Sequence, residues 1–229
     1  MEIFLYELVG HDVTRPFSPH CWKARMALRH KGLEYTSLPV PFTKVRHVED
    51  GFDRTVPVLR HGKDVVQDSF AIAEYLETTY PDRPSLFGGE GGRAMARFVE
   101  SWSHVHIRSF VVSAALMDIY SLLDEVDKEH FRRTREAFFG MRLEDVVNRD
   151  PARLDEFSRS LEPMRLTLKR QPFLNGKSSG FADYIVFGLF QWLRITSSVR
   201  PLAPDDSVSE WFERCLDLFD GEGRKITAA

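Results

Sequence analysis

Ser18-Pro19-His20-Cys21 has the spacing of a dithiol redox motif, C-x-x-C, in which the first cysteine has become serine. The nucleophilic sulfur of such a motif would stand at position 18, where this chain has only a hydroxyl. A hydroxyl cannot form a disulfide, but it can donate a hydrogen bond to a sulfur carried by another molecule. The apolar run 2–6 lies ahead of the motif, and Ala24, Ala27 and Leu28 follow it at i, i+3, i+4. The hydroxyl is therefore expected at a helix N-terminus, whose partial positive charge favours a thiolate. A free thiol with a pKa of roughly 8.5 is only about 3% ionised at pH 7. A hydrogen bond to a charged group contributes about 1.5–3 kcal/mol, enough to lower that pKa by roughly one to two units. The competing reading is that Ser18 does no more than cap its helix.

Two further places carry candidate chemistry. In Thr55-Val56-Pro57-Val58 a proline opens a strand and removes one backbone donor. In Gln67-Asp68-Ser69, at the start of a helix, the Ser69 hydroxyl and the neighbouring N–H groups suit a carboxylate, and Asp68 suits an ammonium group. A carboxylate beside an ammonium is the α-amino-acid end of a peptide. Ser69 is equally an N-cap, and the two roles are compatible.

The elements that must position these residues follow from periodicity. The N-terminal part reads as strand 2–6, a helix ended by Gly32, strand 34–40, a long irregular stretch, and a strand opening at Val56. A turn at His61-Gly62-Lys63, a strand Asp64–Gln67 and a helix from Ser69 to Pro81 complete it. This is an α/β unit, residues 1–82. Gly88-Gly89-Glu90-Gly91-Gly92 lies in a linker, 83–93, and follows no strand, which argues for a hinge over a phosphate cradle. Residues 94–229 read as all-helical. Met95, Phe98, Val99, Trp102 and Val105 form one stripe, and helices are expected over 127–145, 152–170 and 207–219. The stripe Ala182, Ile185, Val186, Leu189, Phe190 and Leu193 is widened by Tyr184, Phe187 and Trp192, so that helix should form the buried centre of a bundle, with Asp183 reaching back to its cap.

Composition narrows the function classes. A net charge of −3 over 229 residues gives no reason to expect nucleic acid or an anionic membrane as a partner. Two distant cysteines, Cys21 and Cys215, make neither a disulfide framework nor a metal cluster and suit a reducing compartment. The N-terminus has acids where a signal peptide would be basic, and no apolar run approaches a membrane span, so a cytoplasmic protein without a metal is expected.

Together these residues resemble the cytosolic glutathione transferases. The resemblance lies in Phe17-Ser18-Pro19 before Trp22-Lys23-Ala24-Arg25, in Val56-Pro57, in Asp68-Ser69 followed by Ile72-Ala73-Glu74-Tyr75-Leu76, and in Phe181-Ala182-Asp183-Tyr184-Ile185-Val186-Phe187-Gly188. The last string with Gln191-Trp192, and the Asp68-Ser69 pair, is similar to the bacterial β-aryl-etherase group and its fungal relatives. The resemblance implies a thioredoxin-like α/β domain, an all-α C-terminal helical bundle, glutathione as co-substrate, and a homodimer. It implies that Ser18 stabilises the glutathione thiolate and that Val56, before a cis Pro57, pairs with the cysteinyl backbone. It further implies that Asp68 and Ser69 hold the γ-glutamyl end, and Lys44 is matched to the glycyl carboxylate. Serine at 18, where omega-like classes have cysteine, implies conjugation, ether cleavage or elimination at an apolar, aromatic electrophile. Gly180 stands where the family usually has Thr or Ser.

Other readings are weighed beside this one. Trp102 and His106 are candidates for the electrophile pocket, with core packing the alternative for Trp102 and for Trp192. Cys21 is either a small residue of the first helical turn or the seat of a glutathione-dependent thiol–disulfide reductase. The mixed charges of 124–136 read as a solvated helix face. A non-catalytic protein that sequesters glutathione and apolar ligands would keep the same fold.

Overall fold

The computed structural model describes residues 2–51 and 55–229. Four strands, β1 (Ile3–Leu8), β2 (Thr36–Val40), β3 (Val58–His61) and β4 (Asp64–Gln67), form one sheet in the order β2-β1-β3-β4. β1 and β2 run parallel, and β3 is antiparallel to both β1 and β4. The parallel pair requires a crossover, which α1 (Pro19–His30) supplies. β3 opens at Val58 rather than Val56, which leaves Val56 and Pro57 outside the ladder. Alternation along β1 puts Ile3, Leu5 and Glu7 on a buried face. The 3₁₀ segment Phe42–Gly51 covers the other face, where Val45 and Val48 pack with Val40 and Val58.

Helix α2 (Ser69–Thr79) closes this half of the molecule, and α3 (Glu90–Ser103) begins inside the glycine-rich stretch. A π-helical turn, His104–Arg108, joins α3 to α4 (Ser109–Ser121). The regions read as two long helices are broken into α5 (Glu125–Phe139), α6 (Leu143–Val146), α7 (Pro151–Ser160) and α8 (Glu162–Leu168). Gly140, at φ 69°, ends α5 in a left-handed turn, and Asp150 caps α7 ahead of Pro151. α9 (Phe181–Thr196) is buried along almost its whole length, as its all-round apolarity requires, and α10 (Ser207–Gly221) packs beside it. Among the described residues no helix is long and apolar enough to cross a membrane.

α9 is anchored at its start by Asp183. Its Oδ1 accepts from Leu174 N at 2.7 Å and Trp211 Nε1 at 2.8 Å, and its Oδ2 accepts from Gly180 N and Asn175 N, both at 3.1 Å. Burial raises the Asp183 pKa to about 6 against the pull of these donors. Gly180 fits the cap because a Cβ there would lie 2.4 Å from the Asn175 amide group, so the side chain of Asn175 fills the space a Ser or Thr cap would need.

Four N–H groups thus converge on one carboxylate. Asp183→Asn turns an amide NH₂ toward two of them, so its loss should approach that of Asp183→Ala, about 2–4 kcal/mol. Urea unfolding checks this; an Asn variant as stable as the parent would show that the charge and its second acceptor are dispensable.

Candidate functional site

Ser18 is the N-cap of α1 and is 5% exposed. Its Oγ accepts from Cys21 N at 3.4 Å, so the capping role is real and the hydroxyl proton remains available for donation. Pro19 occupies the first helical position, where its missing N–H costs nothing. The proline also keeps the chain extended at Ser18, with ψ at 128°.

Ser18 lines a cavity of about 320 Å³ at the seam between the α/β half and the helices. Phe17, Phe42 and Phe131 make a continuous aromatic wall, with ring centroids 6.3 Å apart for the first pair and 5.4 Å for the second. Val112, Leu116, Phe139 and Trp192 complete much of the lining. The wall is held across the two halves by Asp127 of α5, whose carboxylate accepts from Phe42 N at 2.8 Å and Thr43 N at 2.9 Å. Asp127 is buried, which corrects the reading of 124–136 as a solvated face. His20 lines the cavity. Desolvation by the walls, then the charges of Lys23, Arg108 and His104, push its pKa down, so the ring is neutral at physiological pH.

The Val56–Pro57 peptide bond is cis. Asp68, not Ser69, is the N-cap of α2: its Oδ1 accepts from Phe70 N at 2.9 Å and Ala71 N at 3.0 Å. Asp68 also has φ 69°, a conformation that costs energy for a residue with a Cβ and that clusters at binding sites. Ser69 is the first helical residue, and its Oγ is buried with no hydrogen-bond partner among the described residues. A buried hydroxyl without a partner is a standing cost of about 1–3 kcal/mol that a ligand acceptor removes.

The other candidates are placed differently. Lys44 is exposed on the 3₁₀ segment, and its ammonium makes no ion pair with a described residue. Trp102 and His106 stand against each other, centroids 5.8 Å apart, and neither lines the cavity. His106 borders a separate small depression with Val105 and Arg153. Trp192, read as core, does line the cavity. Cys21 is fully buried, burial pushes its thiol up to about 12, and its sulfur accepts from Leu8 N at 3.5 Å. Arg108 and Arg135 also face the cavity, and sequence reasoning missed both.

The glutathione S-transferase N-terminal domain model matches residues 13–84, and the C-terminal domain model of the same name matches 94–215. The chain belongs to the glutathione S-transferase family. Glutathione S-transferase-like protein ustS of Aspergillus flavus is 29% identical over 218 residues, covering 78% of this chain and 75% of that protein. Among solved structures, glutathione transferase GSTFuA3 from Phanerochaete chrysosporium matches with a TM-score of 0.77 and 29% identity, over 99% of this chain and 94% of that one. The glutathione S-transferase CsGST63524 of Ceriporiopsis subvermispora, solved in complex with glutathione, matches with a TM-score of 0.74 and 26% identity, over 98% and 94%.

As a glutathione S-transferase, the chain places Ser18 by pressing α9 onto the start of α1. A Cβ on Gly188 would lie 2.4 Å from the Pro19 carbonyl oxygen and 3.2 Å from its carbon, so only glycine permits this approach. Gly188→Ala must therefore move backbone next to Ser18. It should cost about 1–3 kcal/mol of stability by thermal or urea unfolding. Glutathione-dependent turnover should fall with it. Unchanged stability and turnover would show that α9 does not set the position of Ser18.

Proposed function

We propose that this chain is a glutathione transferase that holds the glutathione sulfur as a thiolate at Ser18 and directs it onto an electrophilic carbon of an apolar aromatic substrate, an aryl ether or halide. The observation that carries this reading is the Ser18 hydroxyl, set at the N-terminus of α1 and opening on an aromatic-walled cavity. The partnerless Ser69 Oγ supports it as an acceptor-seeking group for the γ-glutamyl carboxylate. Both capping bonds of Asp68 use Oδ1, which leaves Oδ2 for the ammonium group. Val56 lies outside the ladder, which suits its backbone to pairing with a bound peptide. Lys44, exposed and without an ion pair to a described residue, suits the glycyl carboxylate.

In the reaction a carbon–sulfur bond forms while a carbon–oxygen or carbon–halogen bond breaks, and the electron pair leaves with the aryloxide or halide. Ser18 contributes by donating to the sulfur and so raising the thiolate fraction at neutral pH; the cavity contributes by positioning. The buried, un-ionised Cys21 gives no support to a reductase. The reading includes a homodimer. Met95 and Phe98, three residues apart on α3, are 53% and 66% exposed in the single chain. Such an apolar pair favours burial against a second copy.

Ser18→Ala should lower glutathione-dependent turnover of aryl halides and ethers by about 10–100-fold near pH 6.5. Near pH 9, where a thiol of unperturbed pKa ionises unaided, the loss should shrink to within about 3-fold. Equal losses at both pH values would sink thiol activation by Ser18. Phe98→Asp should convert a dimer to monomer in sedimentation velocity at micromolar concentration; a parent protein that sediments as a monomer would remove the dimer from this reading.

A further inference from the structure

The cavity carries an electrostatic feature that thiol activation does not need. Arg108, at the end of the π-helical turn, and Arg135, on α5, both line it. Among the described residues no Asp or Glu lines it with them. Arg108 has no hydrogen bond or ion pair to a described residue. Arg135 makes a 3.4 Å hydrogen bond to Thr134 Oγ1 and is otherwise stacked on rings, with its guanidinium carbon 5.2 Å from the Phe131 centroid and 5.9 Å from that of Phe42. Desolvation lowers the pKa of each, and in Arg135 the charge of Arg108 lowers it further. The two cations are thus near neighbours, partly buried, and paired with no anion among the described residues.

Partly buried guanidiniums without counter-charges are costly, and elsewhere in this chain they are met by carboxylates or, as in Arg194, by carbonyl oxygens. The more deeply buried Arg25 and the half-buried Arg165 each meet carboxylates. A third unused donor stands in the same lining: the indole N–H of Trp192 is buried with no acceptor among the described residues. The π turn is itself a local departure from regular helix, of the kind found at functional sites.

We propose that the electrophile this cavity takes is an aromatic carboxylate, its ring against the Phe42–Phe131 wall and its carboxylate on Arg108 and Arg135. The planar fork of a guanidinium matches a carboxylate in two parallel hydrogen bonds, which a neutral aromatic cannot use. The identity of this ligand as an electrophile rests on the transferase reading above; its charge and shape rest on the cavity alone.

Two measurements on the full chain separate these. By titration calorimetry without glutathione, 2-naphthoate should bind at least about 10-fold more tightly than the neutral 2-naphthamide. The Arg108→Met/Arg135→Met protein should lose that preference while melting at or above the parent temperature, since it sheds unpaired buried charge. Arg108→Lys and Arg135→Lys, which keep charge but not the fork, should retain part of it. With glutathione present, the ratio of kcat/KM for 4-chloro-3,5-dinitrobenzoate over its benzamide should fall about 10–100-fold in the Met variant. Equal affinity of the parent for the two naphthyl compounds, or a preference unchanged in the variants, would overturn the proposal. So would a raised KM for glutathione with an unchanged substrate ratio, which would assign the guanidiniums to glutathione's own carboxylate. A naphthoate preference that behaves as expected, with no turnover of either chloride, would sink the transferase reading and leave the anion site standing.

Discussion

Helix α1 has almost no solvent face, and the rest of the molecule is arranged around that constraint. Pro19 and all positions from Cys21 to Leu28 are buried, Lys23 and Arg25 among them, and Lys31 is buried just beyond the helix end. Cations enclosed in this way must each find an anion, because a buried charge left unpaired costs several kcal/mol. Each finds it on a different element: Lys23 on Glu100 of α3 at 2.8 Å, Arg25 on Glu7 of β1 and on Glu222 after α10, Lys31 on Glu77 of α2 at 2.6 Å. Glu7 is further engaged by Ser37 of β2, and Glu222 by Arg29 and Lys225. The pairs need add little net stability to act as they do. They admit one register of α1 against the sheet, α2, α3 and the C-terminal end, and so one position for the hydroxyl at its first turn.

The same logic extends outward. α9 can lie on α1 because Gly188 has no side chain, and α9 is itself held by four donors on Asp183. On the far side of the cavity Asp127 binds the backbone of Phe42 and Thr43, so the aromatic wall of the α/β half is fixed by a carboxylate of the helical half. The cavity is therefore neither domain's own property. It is the space left when two sets of buried polar groups, one at α1 and one at α5, are both satisfied.

This division explains what could be read in the sequence. Ser18 and the Asp68-Ser69 pair are local features, each depending on a few adjacent residues and a helix end, whereas the cis bond before Pro57 is implied only by the family resemblance. The capping role passed from Ser69 to Asp68 because Asp68 adopts φ 69° and reaches the N–H groups of Phe70 and Ala71, leaving the serine hydroxyl inside without a partner among the described residues. The far wall is another matter. Extending the α3 stripe as a straight helix selects Trp102 and His106, but the π turn at His104–Arg108 changes the register and it is Arg108 that reaches the cavity. The charge-rich run 124–136 has the composition of a solvated face. Nothing local distinguishes Arg135 and Asp127 from their exposed neighbours; what encloses them is Phe42, some 90 residues away in the chain.

On the proposed reading, the cavity's charge also bears on the sulfur. A thiolate at Ser18 and a carboxylated substrate are two anions brought together in one cavity of about 320 Å³, and their repulsion would oppose the encounter. Two guanidiniums offset it. His20, two residues from Ser18, adds no charge of its own, because desolvation and the cations around it keep the ring neutral. The positive potential of the cavity is thus set by Arg108 and Arg135 with the end of α1, and those charges do not titrate near neutrality. That makes the balance insensitive to pH over the range in which a thiol ionises, so that the protonation state of the sulfur, rather than of the protein, governs when the site is ready to react.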